Sequence, residues 1–195
     1  YGYCQEFPAE QYVRDSRISC VYEGTNGIQA IDLLFRKVLG DRGATLNALK
    51  EHMTEFSKSL AGHESLGDLK APFDSACEDM LRVSKHIADP NHKDLGLTAL
   101  AATPFLTLCG NVICGFLLLE QAHLAWDKLK AMGVPKEKTD WEQFAADNGD
   151  GSFYLSKVET ARFFVKQILS ENHWRAAQIV DDDGGVLSPT AFYLA

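Results

Sequence analysis

Residues 97 to 119 form a long run that contains no charged side chain. A run of this length either crosses a membrane or lies in the core of a folded domain. No clear basic or aromatic flank anchors it, and the helical spacing continues beyond it through Leu124 and Leu129 among charged neighbours. Polar and helix-bending residues interrupt the run at Thr98, Thr103, Pro104, Thr107 and Asn111. We therefore expect a central helix buried on several sides of a bundle and no membrane span, with a membrane-spanning helix as the alternative.

Apolar residues elsewhere recur every third and fourth position, which is typical of helices that bury one face. The predicted faces are Ile28, Ile31, Leu34, Phe35 and Val38; Leu46, Leu49, Met53, Phe56 and Leu60; Phe73, Ala76, Met80, Val83 and Ile87; and Val158, Ala161, Val165 and Ile168. The third helix should end before Asp89-Pro90, and the last helix is expected to continue through Trp174 to Val180. No strand-like alternation of useful length is visible. The pattern predicts an all-α fold with an up-and-down helical bundle between residues 44 and 180.

Composition excludes several other classes of protein. The net charge is −8 and the basic residues are scattered, so we expect no nucleic-acid binding. The cysteine count is five, without a Cys-x-x-Cys pair, which argues against a disulfide framework or a zinc site. This pattern fits a reducing compartment, and we expect a cytoplasmic location without a resident metal.

An Asx- and glycine-rich stretch, Asp147-Asn148-Gly149-Asp150-Gly151, resembles a calcium-binding loop at first sight. Aligning Gly151 with the invariant glycine of that loop places Ala146 at the first ligand position and Lys157 at the last. Neither residue can supply the required ligand. We interpret the stretch as a turn inside a polar connection, with a short helix near Trp141.

Residues 1 to 43 differ in character from the remainder of the chain. Pro8 suits the first turn of a short helix that would extend to about Arg17. Arg14, Asp15 and Arg17 are expected to form an ion-pair cluster that positions this helix. A kink at Glu23-Gly24 should separate it from the helix that follows. We treat residues 1–43 and residues 44–195 as two structural parts.

The first part contains an ordered set of motifs over about 40 residues: Gly2-Tyr3, Pro8-x-Glu10, Arg14-Asp15-x-Arg17, and Val21-Tyr22-Glu23-Gly24-Thr25 followed by Ile28-Gln29. With this set of motifs, the first part resembles the acyl-CoA dehydrogenase family. An isolated Glu-Gly-Thr would mean little, but the whole set in this order is specific. Residues 44–195 resemble, more weakly, the helical carboxyl-terminal extension of a long branch that includes methylthiopropanoyl-CoA dehydrogenase.

The resemblance implies a flavoprotein that oxidises the α,β carbon–carbon bond of an acyl-CoA thioester, with FAD as cofactor. It identifies Glu23 as the base that removes the α-proton. Tyr22 and Gly24 would line the acyl site, and Thr25, Asn26 and Gly27 would contact FAD near its phosphates. Gly27 departs from the family pattern, because many members have Glu or Gln there. For Glu23 considered alone, an exposed turn carboxylate is the simpler interpretation.

The resemblance also implies an electron-transfer flavoprotein as electron acceptor and a homo-oligomeric assembly. The flavin-binding β domain and the amino-terminal helical domain of the family have no counterpart in these 195 residues. We therefore expect that this chain by itself neither binds FAD well nor turns over substrate. The alternative function is a non-catalytic helical module, residues 44–195, that mediates dimerisation or another interaction.

Overall fold

The computed structural model describes residues 2–21, 25–89, 94–181 and 185–187. These residues form helices, turns and short connections without a strand, which confirms the all-α prediction. The helices are α1 (Ala9–Ser16), α2 (Ile18–Val21), α3 (Thr25–Ile31), α4 (Ala44–Ser59), α5 (Lys70–Ala88), α6 (Leu95–Ala131), α7 (Trp141–Asp147), α8 (Gly149–Phe163) and α9 (Glu171–Val180). π-helical turns extend α3 through Asp32–Val38 and α8 through Phe164–Ile168. Short 3-10 turns lie at Gly67–Leu69, Lys138–Asp140 and Gly185–Leu187.

Helix α6 forms the centre of the fold, and α3, α5, α8 and α9 all pack against it. The Asp94 carboxylate caps its start by accepting hydrogen bonds from the backbone N–H groups of Gly96 (2.7 Å) and Leu97 (3.2 Å). Apolar side chains on several sides of α6 are buried, among them Phe105, Leu108, Val112 and Leu119. The helix is also long and apolar enough to cross a membrane by length and composition alone, a test that core helices pass as well. Its packing is that of the predicted bundle centre.

Helices α4 and α5 follow their sequence patterns closely. Met53 and Leu60 are fully buried on the α4 side, and the five predicted positions of α5, from Phe73 to Ile87, are all buried. Helix α5 ends at Ala88, and Asp89 then adopts an extended conformation, as the following proline requires. The apolar spacing alone was sufficient to orient these two helices.

The buried face of α3 differs from the prediction. Ala30, Leu34 and Val38 are buried, whereas Ile28 and Ile31 are 64% and 47% exposed. Both residues precede the π-helical turn, in which hydrogen bonds reach five residues back, as from Leu39 N–H to the Leu34 carbonyl (2.9 Å). The buried positions of this helix are thus spaced four apart, at Ala30, Leu34 and Val38.

The Asx- and glycine-rich stretch starts a helix instead of extending the connection, which corrects the predicted turn through Gly151. The side-chain oxygen of Asn148 accepts a hydrogen bond from the Gly151 N–H (3.0 Å), so Asn148 caps α8. The short helix expected near Trp141 is present as α7. After the π-helical turn, Leu169 and Ser170 separate α8 from α9, on which Trp174 is exposed.

Candidate functional site

The three residues with the predicted catalytic and substrate roles, Tyr22, Glu23 and Gly24, lie outside the described residues. Their flanks are described: α2 ends at Val21 and α3 begins at Thr25. Two helices therefore bracket the predicted base, one on each side in sequence. The roles assigned to these three residues remain predictions.

The predicted cofactor residues Thr25, Asn26 and Gly27 all lie in the first turn of α3. Thr25 is half-buried, and Asn26 and Gly27 are exposed. Ile18 and Ser19 of α2 face Thr25 and Asn26 across an open depression of about 370 Å³. The first turn of a helix presents backbone N–H groups that suit a phosphate. The donor set fits one end of a phosphate-containing cofactor, although the depression is too open to enclose it.

Gly27, the departure from the family pattern, is not imposed by crowding. A β-carbon built on it would meet no atom within 4 Å, and its φ angle is not in the left-handed region. Among the described residues, nothing would therefore obstruct a β-carbon at this position. In this chain, position 27 can offer only backbone atoms to a ligand.

Helix α1 does not form the predicted cluster of Arg14, Asp15 and Arg17. Arg14 pairs with Glu10 one turn earlier, with Nε and Oε2 2.8 Å apart, and Asp15 accepts a hydrogen bond from Gln11 (2.8 Å). Both pairs have the four-residue spacing of helix neighbours. Within the part of the chain that the structure describes, Arg14 and Asp15 therefore stabilise α1 internally and do not join it to another element.

The surface around the candidate site is apolar and uncovered by the described residues. Helices α1 and α2 bury no residue. Tyr12, Val13, Ile18 and Val21 are between 52% and 73% exposed. Ile28 and Ile31 of α3 are exposed as well, and several exposed apolar side chains in one segment are characteristic of a region that another domain covers.

Polar groups elsewhere in the described chain have structural roles. Sequence reasoning overlooked His63, whose Nδ1 accepts hydrogen bonds from the backbone N–H groups of Ser65 (3.2 Å) and Leu66 (3.1 Å). Burial lowers the pKa of His63, and the neighbouring His123 and Lys130 lower it further. The sequence pattern that could have predicted this turn is the position of His63 between Gly62 and Gly67.

The buried cysteines are poor candidates for nucleophiles. Burial raises the pKa of Cys77 to about 12, with Asp74 and Glu78 adding to the effect, and burial also raises the pKa of Cys109 to about 12. Among the residues that the structure describes, no group of three His, Cys, Asp or Glu side chains could hold a metal ion.

Comparison with known proteins agrees with this architecture. Residues 46–188 match the family described as "Acetyl-CoA dehydrogenase C-terminal like". A broad-specificity linear acyl-CoA dehydrogenase of Mycobacterium tuberculosis is 33% identical over 174 residues, which is 86% of this chain and 26% of the relative. A 3-methylmercaptopropionyl-CoA dehydrogenase of Ruegeria pomeroyi is 32% identical over 195 residues, 96% of this chain and 29% of the relative. A butyryl-CoA dehydrogenase of Syntrophomonas wolfei is 30% identical over 172 residues, 87% of this chain and 26% of the relative.

The fold and the matched region define an all-α helical domain of an oxidoreductase family. The chain belongs to the acyl-CoA dehydrogenase family and corresponds to its C-terminal part. It spans between a quarter and a third of the length of these curated relatives.

Proposed function

We propose that this chain is the C-terminal part of an FAD-dependent acyl-CoA dehydrogenase that oxidises the α,β bond of an acyl-CoA thioester, with Glu23 as the α-proton base. The observation that supports this most strongly is the ordered motif from Gly2 to Gln29, which precedes residues 46–188 that match the family. A helical module unrelated to catalysis would not need that motif.

In the proposed reaction, the Glu23 carboxylate removes the α-proton, and burial in the assembled enzyme would raise its pKa and strengthen it as a base. The Glu23 backbone N–H donates a hydrogen bond to the thioester carbonyl, which stabilises the developing enolate. Tyr22 and Gly24 line the acyl site. Thr25, Asn26 and Gly27 hold FAD near its phosphates. When bound, FAD would accept the β-hydrogen as a hydride and pass electrons on to an electron-transfer flavoprotein.

We propose that the other parts of the catalytic site belong to further domains of a longer protein. The uncovered apolar surface of α1 and α2 and the open depression beside Thr25 support this assignment. We therefore propose that residues 1–43 complete a catalytic domain and that residues 44–195 are a helical extension of it. The 195-residue chain alone should not bind FAD tightly, which a flavin-fluorescence titration would measure.

The decisive experiment compares Glu23→Gln with the wild type in the protein at its natural length. The variant should retain FAD but lose turnover by about 100- to 10,000-fold, because a neutral amide cannot remove the α-proton. Anaerobic bleaching of the flavin by a panel of acyl-CoA thioesters is the readout. Glu6→Gln, an exposed carboxylate of the same segment, is the matched control and should bleach like the wild type. Normal bleaching by Glu23→Gln would contradict the assignment.

A second function, an interaction module formed by residues 44–195, is favoured by three exposed leucines on α6, Leu100, Leu117 and Leu124. The two functions are compatible within one enzyme. If residues 44–195 mediate assembly, removing them should dissociate the oligomer into monomers, as sedimentation would show. An unchanged oligomer would restrict the extension to another role.

A further inference from the structure

A pair of histidines joins the turn between α4 and α5 to the central helix. We define the latch turn as residues 60–66, from the residue that follows α4 to the residue before the 3-10 turn at Gly67–Leu69. His63 lies in the latch turn, and its ring centroid is 5.1 Å from that of His123 on α6. The contact between the two rings therefore connects two elements that are far apart in the chain.

The shape of the latch turn depends on a neutral His63. The Nδ1 atom of His63 accepts hydrogen bonds from the backbone N–H groups of Ser65 (3.2 Å) and Leu66 (3.1 Å). A protonated imidazole carries a hydrogen on both nitrogens and can accept neither bond. One proton on Nδ1 thus removes two hydrogen bonds that close the turn. The closed turn also depends on apolar packing, because Leu60 and Leu66 at its two ends are fully buried.

The surroundings of His63 oppose its protonation. Burial of the ring has the largest effect, and His123 and Lys130 of α6 add positive potential, so that the pKa of His63 is lowered. Asp127 of α6 and Glu64 of the latch turn act in the opposite direction, but they do not outweigh the others. A proton therefore binds less readily to His63 in the closed turn than to the same side chain in contact with water.

Aromatic side chains complete the surroundings of the pair. Phe56 of α4 lies with its ring 6.1 Å from that of His123, and Trp126 of α6 lies 6.3 Å from the His63 ring. Apolar rings lower the local dielectric constant and strengthen the repulsion between positive charges. The packing of α4 and α6 around the pair thus makes the closed turn sensitive to a single proton.

Several polar atoms at the latch turn are unsatisfied while it is closed. Among the residues that the structure describes, Ser65 Oγ, His123 Nδ1 and Arg162 Nε are buried without a hydrogen-bond partner. Such atoms cost free energy that contact with water would recover. Opening of the turn to water is therefore easier here than it would be in a fully satisfied turn.

The latch turn also holds α8. The guanidinium of Arg162 on α8 donates hydrogen bonds to the Ser65 carbonyl and to Asp68 Oδ2 (2.7 Å), just beyond the turn. Lys166, in the π-helical turn after α8, pairs with the same Asp68 carboxylate (2.6 Å). A change in the shape of the turn displaces the Ser65 carbonyl from Arg162. The protonation of His63 is in this way coupled to the attachment of α8.

We propose that the latch turn is a pH-sensitive switch, which is closed on α6 while His63 is neutral and opens locally, releasing Arg162 from the Ser65 carbonyl, when His63 is protonated. The open form binds the proton more readily, so the open fraction is smallest above pH 6.5 and grows as the pH falls below it. Helices α4 and α5 stay folded, because their buried positions such as Met53 and Phe73 lie outside the turn. This inference does not depend on the proposed catalytic function.

Hydrogen exchange of the protein at its natural length tests the switch. Peptides that cover the latch turn should lose protection by up to about tenfold per pH unit between pH 6.5 and 5, after correction for the intrinsic exchange rate. Peptides from the middle of α6 should retain their protection over the same range. Constant protection of the latch turn would overturn the proposal, and so would an equal loss in α6, which would indicate global unfolding.

His63→Asn retains an acceptor atom without titrating, so protection of its latch turn should not vary between pH 6.5 and 5. His52→Asn is the matched control, because His52 is exposed on α4 outside the turn, and this variant should follow the wild type. A His63→Asn protein whose latch turn still opens as the pH falls would assign the switch to another group and contradict the proposal.

Two charge-removing variants on α6 should shift the opening in opposite directions. Lys130→Gln removes a positive charge near His63 and should raise the pH of opening by roughly 0.3 of a unit, whereas Asp127→Asn should lower it by a similar amount. Both side chains are more than half exposed, so neither change should unfold the protein. A purely structural role for His63 predicts no such opposed shifts, and their absence would overturn the proposal.

Discussion

Gly115 of α6 lies against Leu169 so closely that a β-carbon at position 115 would be 2.9 Å from Leu169 Cδ1 and 3.3 Å from Cδ2. Leu169 is buried between α8 and α9. The absence of a side chain at Gly115 thus sets how near the end of the α8 π-helical turn comes to the central helix.

Gly115→Ala should destabilise the fold by about 1 kcal/mol, because overpacking against Leu169 exceeds the gain in helix propensity. Gly110→Ala on the same helix is the matched control, since its β-carbon would stand in open space. That variant should be stabilised by up to about 1 kcal/mol. Urea unfolding measures both, and equal shifts in the two variants would show that the contact with Leu169 is not limiting.

Asn172 is a fully buried amide that joins α9 to α6. Its oxygen accepts a hydrogen bond from Asn111 Nδ2 (3.0 Å), and its own Nδ2 donates to the Leu108 carbonyl (3.2 Å). Asn172→Ala should lower the free energy of unfolding by about 2–3 kcal/mol, because it leaves a cavity and removes both hydrogen bonds. Asn111→Ala, at a half-buried position, should cost less in the same denaturation assay. A larger loss from Asn111→Ala would mean that the hydrogen bond to Leu108 contributes little.

His63 should make stability depend on pH. Its folded-state pKa is lowered below 6.5 by burial and then by His123, so the unfolded chain binds the proton more readily. Stability is therefore full above about pH 7.5 and falls as the pH drops below 6.5, when the Nδ1 acceptor is also lost. His63→Asn, which retains an acceptor atom without titrating, should flatten this dependence in thermal unfolding between about pH 5 and 8.

The exposed His52 of α4 is the matched control for this experiment. His52→Asn removes an imidazole without touching the turn at Ser65 and Leu66. A His63→Asn profile that remains parallel to the wild type would assign the pH dependence to another group.

Arg162 links α8 to the turn that precedes α5. Its guanidinium donates to Asp68 Oδ2 (2.7 Å) and to the Ser65 carbonyl, and Lys166 also pairs with Asp68 (2.6 Å). Burial would raise the pKa of Asp68, but hydrogen bonds from Lys166 and Arg162 outweigh it, so that the pKa is lowered. Arg162→Ala should cost about 2 kcal/mol in urea unfolding, because the side chain is only 15% exposed.

Lys58→Ala provides the contrast for Arg162→Ala. Lys58 pairs with Glu55 at 2.6 Å, but both side chains are at least 67% exposed. Its loss should change stability by no more than about 0.5 kcal/mol. Similar losses in the two variants would argue that the Arg162 contacts are as weak as those of a surface pair.

Much of the fold followed from local patterns. The three-four spacing from Phe73 to Ile87 oriented α5 correctly, and the uncharged run around Phe105 predicted a central helix, because burial of one face is encoded in neighbouring residues. On the face predicted for α3, Leu34 and Val38 are buried, but Ile28 and Ile31 are exposed, because spacing alone does not show which apolar positions the other helices cover. Candidate site residues came from the motif around Glu23; the structure adds that Thr25, Asn26 and Gly27 share the first turn of one helix.

The sequence by itself determined the helical class of the fold, the family, and the residues proposed for its chemistry, because each depends on residue types at short spacing. Only the tertiary structure showed which side of α6 remains uncovered, that Gly115 leaves the space that the Leu169 side chain occupies, and that Arg162 reaches Asp68. These relationships join residues distant in the chain. They arise when helices pack around a common core, and no local pattern specifies them.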